Sequence, residues 1–137
     1  ETVSFNASSS NHRIETHNAT FDMAGFYEWA DFAICAGGGT CWELCYFGIT
    51  GIIGILSENQ APIVNALARA KVFNSVGWYK DSSAKEIAEP IRSFIEQPRE
   101  INLKRSRAFK LVDGKGPYRV LQAMQQVEME KHSARIA

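Results

Sequence analysis

The feature that most constrains the fold is a run of three glycines set between a short apolar segment and a helical one. Asp31 to Ala36 (DFAICA) is almost continuously apolar, the mark of a strand buried on both faces of a sheet. Gly37-Gly38-Gly39 follows, and Thr40 opens a helical stretch to about Phe47. Gly48 ends that stretch as a C′ glycine, and Thr50 to Leu56 (TGIIGIL) supplies the next buried strand. Strand, glycine turn, helix, strand is the unit that parallel sheets require, because parallel neighbours cannot be joined by a tight hairpin.

The same grammar continues on both sides. Asp22 can cap a helix through Trp29 whose apolar face holds Met23, Phe26, Tyr27 and Ala30. A helix from about Gln60 to Ala70 carries Ile63, Val64, Leu67 and Ala68, and Val72 to Val76 reads as the last strand. Ser83 and Glu86 have capping-box spacing ahead of a helix with Ile87, Ile91, Phe94 and Ile95 on one face. Pro90 inside that helix is expected to kink it. Beyond Pro98 the chain is helical over about 99–132, interrupted at Asp113-Gly114-Lys115-Gly116-Pro117. Nearer the start, Thr2 to Ala7 and Arg13 to Thr20 alternate well enough to be strands, with a turn at Ser8 to Asn11. Strands alternating with helices from residue 13 onward predict an α/β, Rossmann-like three-layer domain with a mostly parallel sheet. The length of 137 residues suits one domain, 1–137.

Composition narrows the partners. Lys+Arg 15 against Asp+Glu 15 gives a formal charge of +0, so no bulk electrostatic attraction to nucleic acid or an anionic membrane is expected. The basic run Lys104, Arg105, Arg107 and Lys110 reads as a solvated helix face, since no aromatic platform accompanies it. The longest apolar stretch, Tyr46 to Leu56, is too short to cross a bilayer. No signal peptide opens the sequence, so the expected compartment is the cytoplasm, and the glycosylation patterns at Asn6 and Asn18 carry little weight. Cys35, Cys41 and Cys45 match neither a disulfide framework nor a zinc ribbon and read as buried small hydrophobes. No metal or cofactor is expected. Trp29, Trp42 and Trp78 are read as core or interface residues, His12 and His17 as surface histidines, and His132 as a tail residue.

The chemistry sits between Asp31 and Gln60. A strand followed by Gly37-Gly38-Gly39-Thr40 delivers that turn to the carboxyl edge of the sheet, where open α/β folds bind ligands. Glycines let backbone approach a ligand closely, and the helix start presents unpaired N–H groups to negative charge. Thr40 adds a hydroxyl, but the Lys-Ser/Thr pair of a P-loop is absent. Glu43, one turn on, could accept from ribose hydroxyls, and Glu58-Asn59-Gln60 reaches the same edge with amides suited to a sugar. A glycine-rich turn made only for backbone reasons, with a solvated Glu beyond it, explains the same residues equally well.

Trp29-Ala30-Asp31-Phe32-Ala33-Ile34, Ala36-Gly37-Gly38-Gly39-Thr40-Cys41-Trp42-Glu43-Leu44 and Glu58-Asn59-Gln60, taken together, resemble one family. It is the UDP-sugar hydrolase family of pseudaminic acid biosynthesis, grouped with spore-coat polysaccharide biosynthesis proteins. Val112-Asp113-Gly114-Lys115-Gly116 with Arg119-Val120 is similar to its C-terminal pattern, and the similarity spans roughly residues 22 to 124. The resemblance implies one half of a two-domain GT-B fold, related to the transferase that adds N-acetylglucosamine to the lipid precursor of peptidoglycan. By that resemblance Gly38, Gly39 and Thr40 would hold the diphosphate of UDP or a UDP-sugar, and Glu43 the ribose. Asn59 and Gln60 would face the sugar, and loops near Ser9 to Asn11 and Phe21 to Met23 would lie near uracil. The family's N-terminal domain, with its catalytic histidine, has no counterpart in this sequence. This half would stabilise a leaving group through backbone dipoles while the general base comes from elsewhere, so no catalytic residue is assigned. Two functions follow as expectations: a nucleotide-sugar-binding half that pairs with a separate N-terminal half-domain, or a self-standing interaction module that self-associates.

Overall fold

A computed structural model of the chain describes residues 12–17, 20 and 22–136. The segments predicted as a strand at 2–7 and a turn at 8–11, like Asn6 and Asn18, lie outside the described residues. In chain order the elements are α1 (Met23–Trp29), β1 (Phe32–Ala36), α2 (Thr40–Tyr46), β2 (Thr50–Ile55), α3 (Ala61–Arg69), β3 (Phe73–Trp78), α4 (Ala84–Glu96), α5 (Pro98–Leu111) and α6 (Gly116–Ile136). Short 3-10 turns at Glu58–Gln60 and Tyr79–Asp81 follow β2 and β3.

The strands form a parallel sheet of order β1-β2-β3. Ile34 pairs with Ile52 and Ile52 with Asn74, so these three share one face, and Cys35, Ile53 and Ser75 share the other. Ile53 and Ile55 turn towards α2 and α3, where Leu44, Cys45, Val64 and Leu67 complete the main core. Fully burying each such side chain stabilises the fold by roughly 1.5–3 kcal/mol. On the opposite face α4 covers the sheet through Phe94, whose ring lies 6.0 Å from that of Phe32. Helix, sheet and helix thus make the three layers that the alternation predicts.

Local signals in the sequence account for most boundaries. The Asp22 carboxylate accepts from Gly25 N–H at 3.2 Å and starts α1. Gly48, at φ +68, closes α2 with Gly48 N–H to Cys45 O and Ile49 N–H to Leu44 O, the C′ geometry that glycine favours. Ser83 and Glu86 form a reciprocal capping box at the head of α4. Pro90 sits inside α4, which runs through it to Glu96 as a single helix.

Three expectations are corrected. Arg13 to Thr20 is no strand among its described residues; Ile14 is 40% exposed there, and one apolar side chain cannot bury a face. Arg13 pairs instead with Glu15, whose carboxylate lies 3.7 Å from His17 Nε2, and the His17 ring meets Phe26 edge-on at 4.8 Å. The strand–helix alternation therefore starts at β1 rather than at residue 13. Nor is β1 buried on both faces: among the described residues it is an outer strand of the sheet and leaves Ile34 49% exposed. Only β2, between two neighbours, is buried throughout.

The basic run on α5 is the third correction. Lys104 is buried, with its ammonium 2.6 Å from Asn74 Oδ1 and 3.6 Å from Glu100. Arg105 donates to Gly48 O at 3.2 Å and Arg107 to Lys71 O at 3.3 Å. Those carbonyls lie two residues before β2 and β3, so Lys104, Arg105 and Arg107 tie α5 to the amino-terminal edge of the sheet, while Arg107 and Lys110 remain exposed as a solvated face would. Of the tryptophans read as core or interface, Trp29 is 84% exposed and so does not belong to the core, whereas Trp78 packs against it. His132 is exposed on α6, near the end of the chain.

Candidate functional site

Parallel strands point their carboxyl ends to one edge, and that edge collects the predicted site. The glycine turn follows β1 and the Glu58–Gln60 turn follows β2. Gly37 N–H bonds Gly54 O at 3.0 Å, and a Cβ on Gly37 would come within 3.2 Å of Gln60 O and collide with Val64. A side chain there would drive the two turns apart, so glycine is what lets them touch. Gly38 and Gly39 have no such reason in the packing: a Cβ on either would meet nothing within 4 Å. Their faces are open for a ligand to approach.

The amides divide in the same way. Gly38 N–H is taken by Ala36 O at 2.8 Å, Cys41 N–H by Gly38 O at 3.2 Å and Trp42 N–H by Gly39 O at 3.0 Å. Among the described residues no backbone acceptor meets the N–H of Gly39 or Thr40. Two adjacent donors beside two open glycines can cradle an anionic oxygen.

Glu43 is exposed on α2 and accepts a 2.6 Å hydrogen bond from the Tyr27 hydroxyl. Burial, then the hydrogen bond and the charge of Glu43, push the Tyr27 phenol up to about 12, with the Thr40 hydroxyl acting in the opposite direction. Tyr27 is therefore a protonated donor at neutral pH, and it fixes one carboxylate oxygen of Glu43 while leaving the other free to accept. The sequence marked Tyr27 only as part of an apolar helix face. The signal that it is more than that is tertiary, since α1 has to dock on α2 before the phenol can reach.

Asn59 and Gln60 stand at the same edge with their carbonyl oxygens engaged. Ser57 Oγ donates to Asn59 Oδ1 at 2.6 Å, and Leu56 N–H donates to Gln60 Oε1 at 3.0 Å. Those bonds orient each side-chain amide and leave its NH₂ to point away as a donor. Tyr79 underpins the edge from the other face: it donates to Cys35 O at 2.9 Å, and its ring lies 2.6 Å from where a Gly54 Cβ would be. Burial raises its phenol pKa. Nothing in the local pattern around Tyr79 announces that role.

The C-terminal motif has a structural use. Asp113 accepts from Lys115 N–H at 3.0 Å and from both terminal nitrogens of Arg119. The Arg119 guanidinium, then the Lys115 N–H, bring the Asp113 carboxyl down to about 2. Gly114, at φ +70, packs on Tyr46 of α2, where a Cβ would stand 2.7 Å from the ring. Of the loops expected near uracil, residues 9–11 and 21 lie outside the described residues; Asp22 caps α1 and Met23 is exposed.

The sequence matches the family model described as the glycosyltransferase family 28 C-terminal domain over residues 1–116. The chain belongs to that family. Membership makes it a nucleotide-sugar-binding, glycosyltransferase-like half-domain, and the parallel sheet between helical layers is the Rossmann-like architecture of one half of a GT-B fold. No curated protein matches the sequence. The family match ends at the first residue of α6, leaving most of that helix outside it. Among the described residues no helix is long and apolar enough to cross a membrane, and no three His, Cys, Asp or Glu side chains group as a metal site.

Proposed function

We propose that this half-domain binds the diphosphate of UDP or a UDP-sugar at the carboxyl edge of its sheet and depends on a separate domain for catalysis. The observation that carries the reading is the convergence of the two turns after β1 and β2, with open glycines and uncommitted amides in the first. In this reading Gly38, Gly39 and Thr40 hold the diphosphate. Glu43, oriented by Tyr27, accepts from the ribose hydroxyls, and Asn59 and Gln60 donate to the sugar. The resemblance to the pseudaminic acid hydrolases and spore-coat proteins makes hydrolysis or transfer of a UDP-sugar in cytoplasmic polysaccharide synthesis the leading assignment. Backbone dipoles around the departing diphosphate supply leaving-group stabilisation. The base that activates water or an acceptor comes from an N-terminal half-domain.

Calorimetric titration with UDP, using CDP and GDP as controls, tests this reading. Selective UDP binding that weakens at least about tenfold in Glu43→Ala is expected, since a hydrogen bond to a charged group contributes roughly 1.5–3 kcal/mol. Absence of UDP binding at millimolar concentration, or equal binding in the variant, would overturn it. The second reading, a self-standing interaction module, draws on α6, where Val120, Leu121, Met124 and Val127 are all exposed. In that case Thr40→Val and Glu43→Ala leave self-association or partner binding unchanged.

A further inference from the structure

We propose that Cys35 and Cys41 are a redox-modifiable pair that closes into a disulfide across the glycine turn. Cys35 is the penultimate residue of β1 and Cys41 the second residue of α2, so the pair brackets Gly37-Gly38-Gly39. Their sulfurs lie 3.9 Å apart. A disulfide needs about 2.05 Å, so closure requires an approach of roughly 2 Å. Side-chain rotation with a small shift of the turn covers that distance, and packing does not oppose the shift at Gly38 and Gly39, where an added Cβ meets nothing within 4 Å. Gly37, held by Gly54 O, is the fixed end of the movement.

Cys45 is the built-in comparison. It is a free, buried thiol like Cys41, but it lies one turn further along α2. A helix rises about 6 Å over four residues, and α2 has no glycine with which to close that gap. The two thiols of the proposed pair differ in access, Cys41 being fully buried and Cys35 partly exposed. Cys35 is therefore the entry sulfur for an oxidant and Cys41 the resolving one. The contact with Cys41, then burial, raises the Cys35 thiol above its ordinary range, while the same contact lowers that of Cys41. The Cys35 thiolate is scarce, so its attack is the slow step.

The oxidant is a low-molecular-weight disulfide such as oxidised glutathione. Cys35 loses its proton, its sulfur attacks one sulfur of the oxidant, and one glutathione thiolate leaves as a mixed disulfide forms. Cys41 then loses its proton and attacks the Cys35 sulfur, expelling the second glutathione thiolate. Two protein thiols become one disulfide, and one glutathione disulfide becomes two thiols. The product ties the end of β1 to the first turn of α2 and sets the directions of the Gly39 and Thr40 amides. The consequence for ligand binding rests on the UDP reading; the cross-link itself does not.

In the test, the full chain is incubated with oxidised glutathione, its remaining thiols are alkylated, and chymotryptic peptides are weighed. Cleavage after Phe32 and Trp42 places Cys35 and Cys41 together and Cys45 apart. The expected result is a 33–42 peptide that escapes alkylation and has lost two hydrogens, reversibly with dithiothreitol, beside a fully alkylated Cys45. Alkylation of both cysteines in that peptide would overturn the proposal, as would a glutathione adduct that persists on Cys35 or a link to Cys45. Cys35→Ser, at the partly exposed position, is expected to leave Cys41 reduced; oxidation of Cys41 in that variant would also overturn it. UDP titration of the reduced and oxidised chains keeps the two readings separate. Severalfold weaker binding after oxidation is expected, equal binding would refute control of the turn, and no binding by the reduced chain would count against the UDP reading alone.

Discussion

Replacing Lys104 with methionine tests the corrected view of α5. The lysine side chain is 6% exposed, bonded to Asn74, paired with Glu100 and 5.8 Å from the Phe94 ring centre. A hydrogen bond from a charged donor contributes roughly 1.5–3 kcal/mol. Asn74 is only half-buried and can recover some hydration, so the lower part of that range applies. Glu100 is 44% exposed, and such an i,i+4 pair adds only about 0.3–0.5 kcal/mol. The cation–π contact, near its distance limit, adds about 0.5 kcal/mol. Relief from desolvating the ammonium and the apolar fit of methionine offset part of the total, leaving a net loss of about 2 kcal/mol. Urea unfolding is the assay, read as a lower midpoint with unchanged slope. A cycle with Asn74→Ala is expected to show a coupling of about 1 kcal/mol or more. Stability within about 0.5 kcal/mol of the parent, as for a solvated position, would refute the reasoning.

Gly48→Ala is expected to lose roughly 1–2 kcal/mol in the same assay, because its φ is positive; the Phe109 ring that a Cβ would meet is 57% exposed and can swing aside. Adding Phe109→Ala is therefore expected to restore little of the loss. The Asp113 carboxyl carbon, followed by NMR, is expected to titrate at about 2. A folded pKa below the unfolded one gives stability that is present above pH ~4 and lost as the pH falls towards 2; Arg119→Gln returns the titration towards the ordinary value. Tyr27→Phe is expected to weaken UDP binding about threefold to tenfold with little change in fold, since it removes only the hydroxyl that orients Glu43. An unchanged affinity would detach Tyr27 from the site.

What the sequence disclosed and what it hid divide along a physical line. The limits of α2, β2 and α4 were legible because Gly48, the run TGIIGIL and the Ser83–Glu86 pair act within a few residues of themselves. The two turns of the candidate site were legible as turns for the same reason, and parallel topology brings them to one edge. Whatever depends on a distant partner was not legible. Lys104 looks like any surface lysine until Asn74, thirty residues away, faces it. Tyr27 looks like core until its hydroxyl donates to Glu43. Arg13 to Thr20 passed as a strand on alternation alone, which has no force without enough apolar side chains to bury. The outer position of β1 among the described strands, and with it the exposure of Ile34, is a property of the sheet rather than of the strand.

The fastening of α5 has a consequence for where the molecule breathes. Arg105, Arg107 and Phe109 grip the backbone beside Gly48 and Lys71, at the amino ends of β2 and β3. The glycine turn and the Glu58–Gln60 turn hang from the opposite ends, and in the first the N–H groups of Gly39 and Thr40 meet no backbone acceptor among the described residues. Cooperative units of unfolding follow such differences in fastening. Amide protons along β2 are expected to exchange with solvent only when the whole domain opens, whereas those of Gly39 and Thr40, which meet no backbone acceptor among the described residues, are expected to exchange without it. The domain is thus built like a hand gripped at the wrist, free to adjust its fingers at little thermodynamic risk.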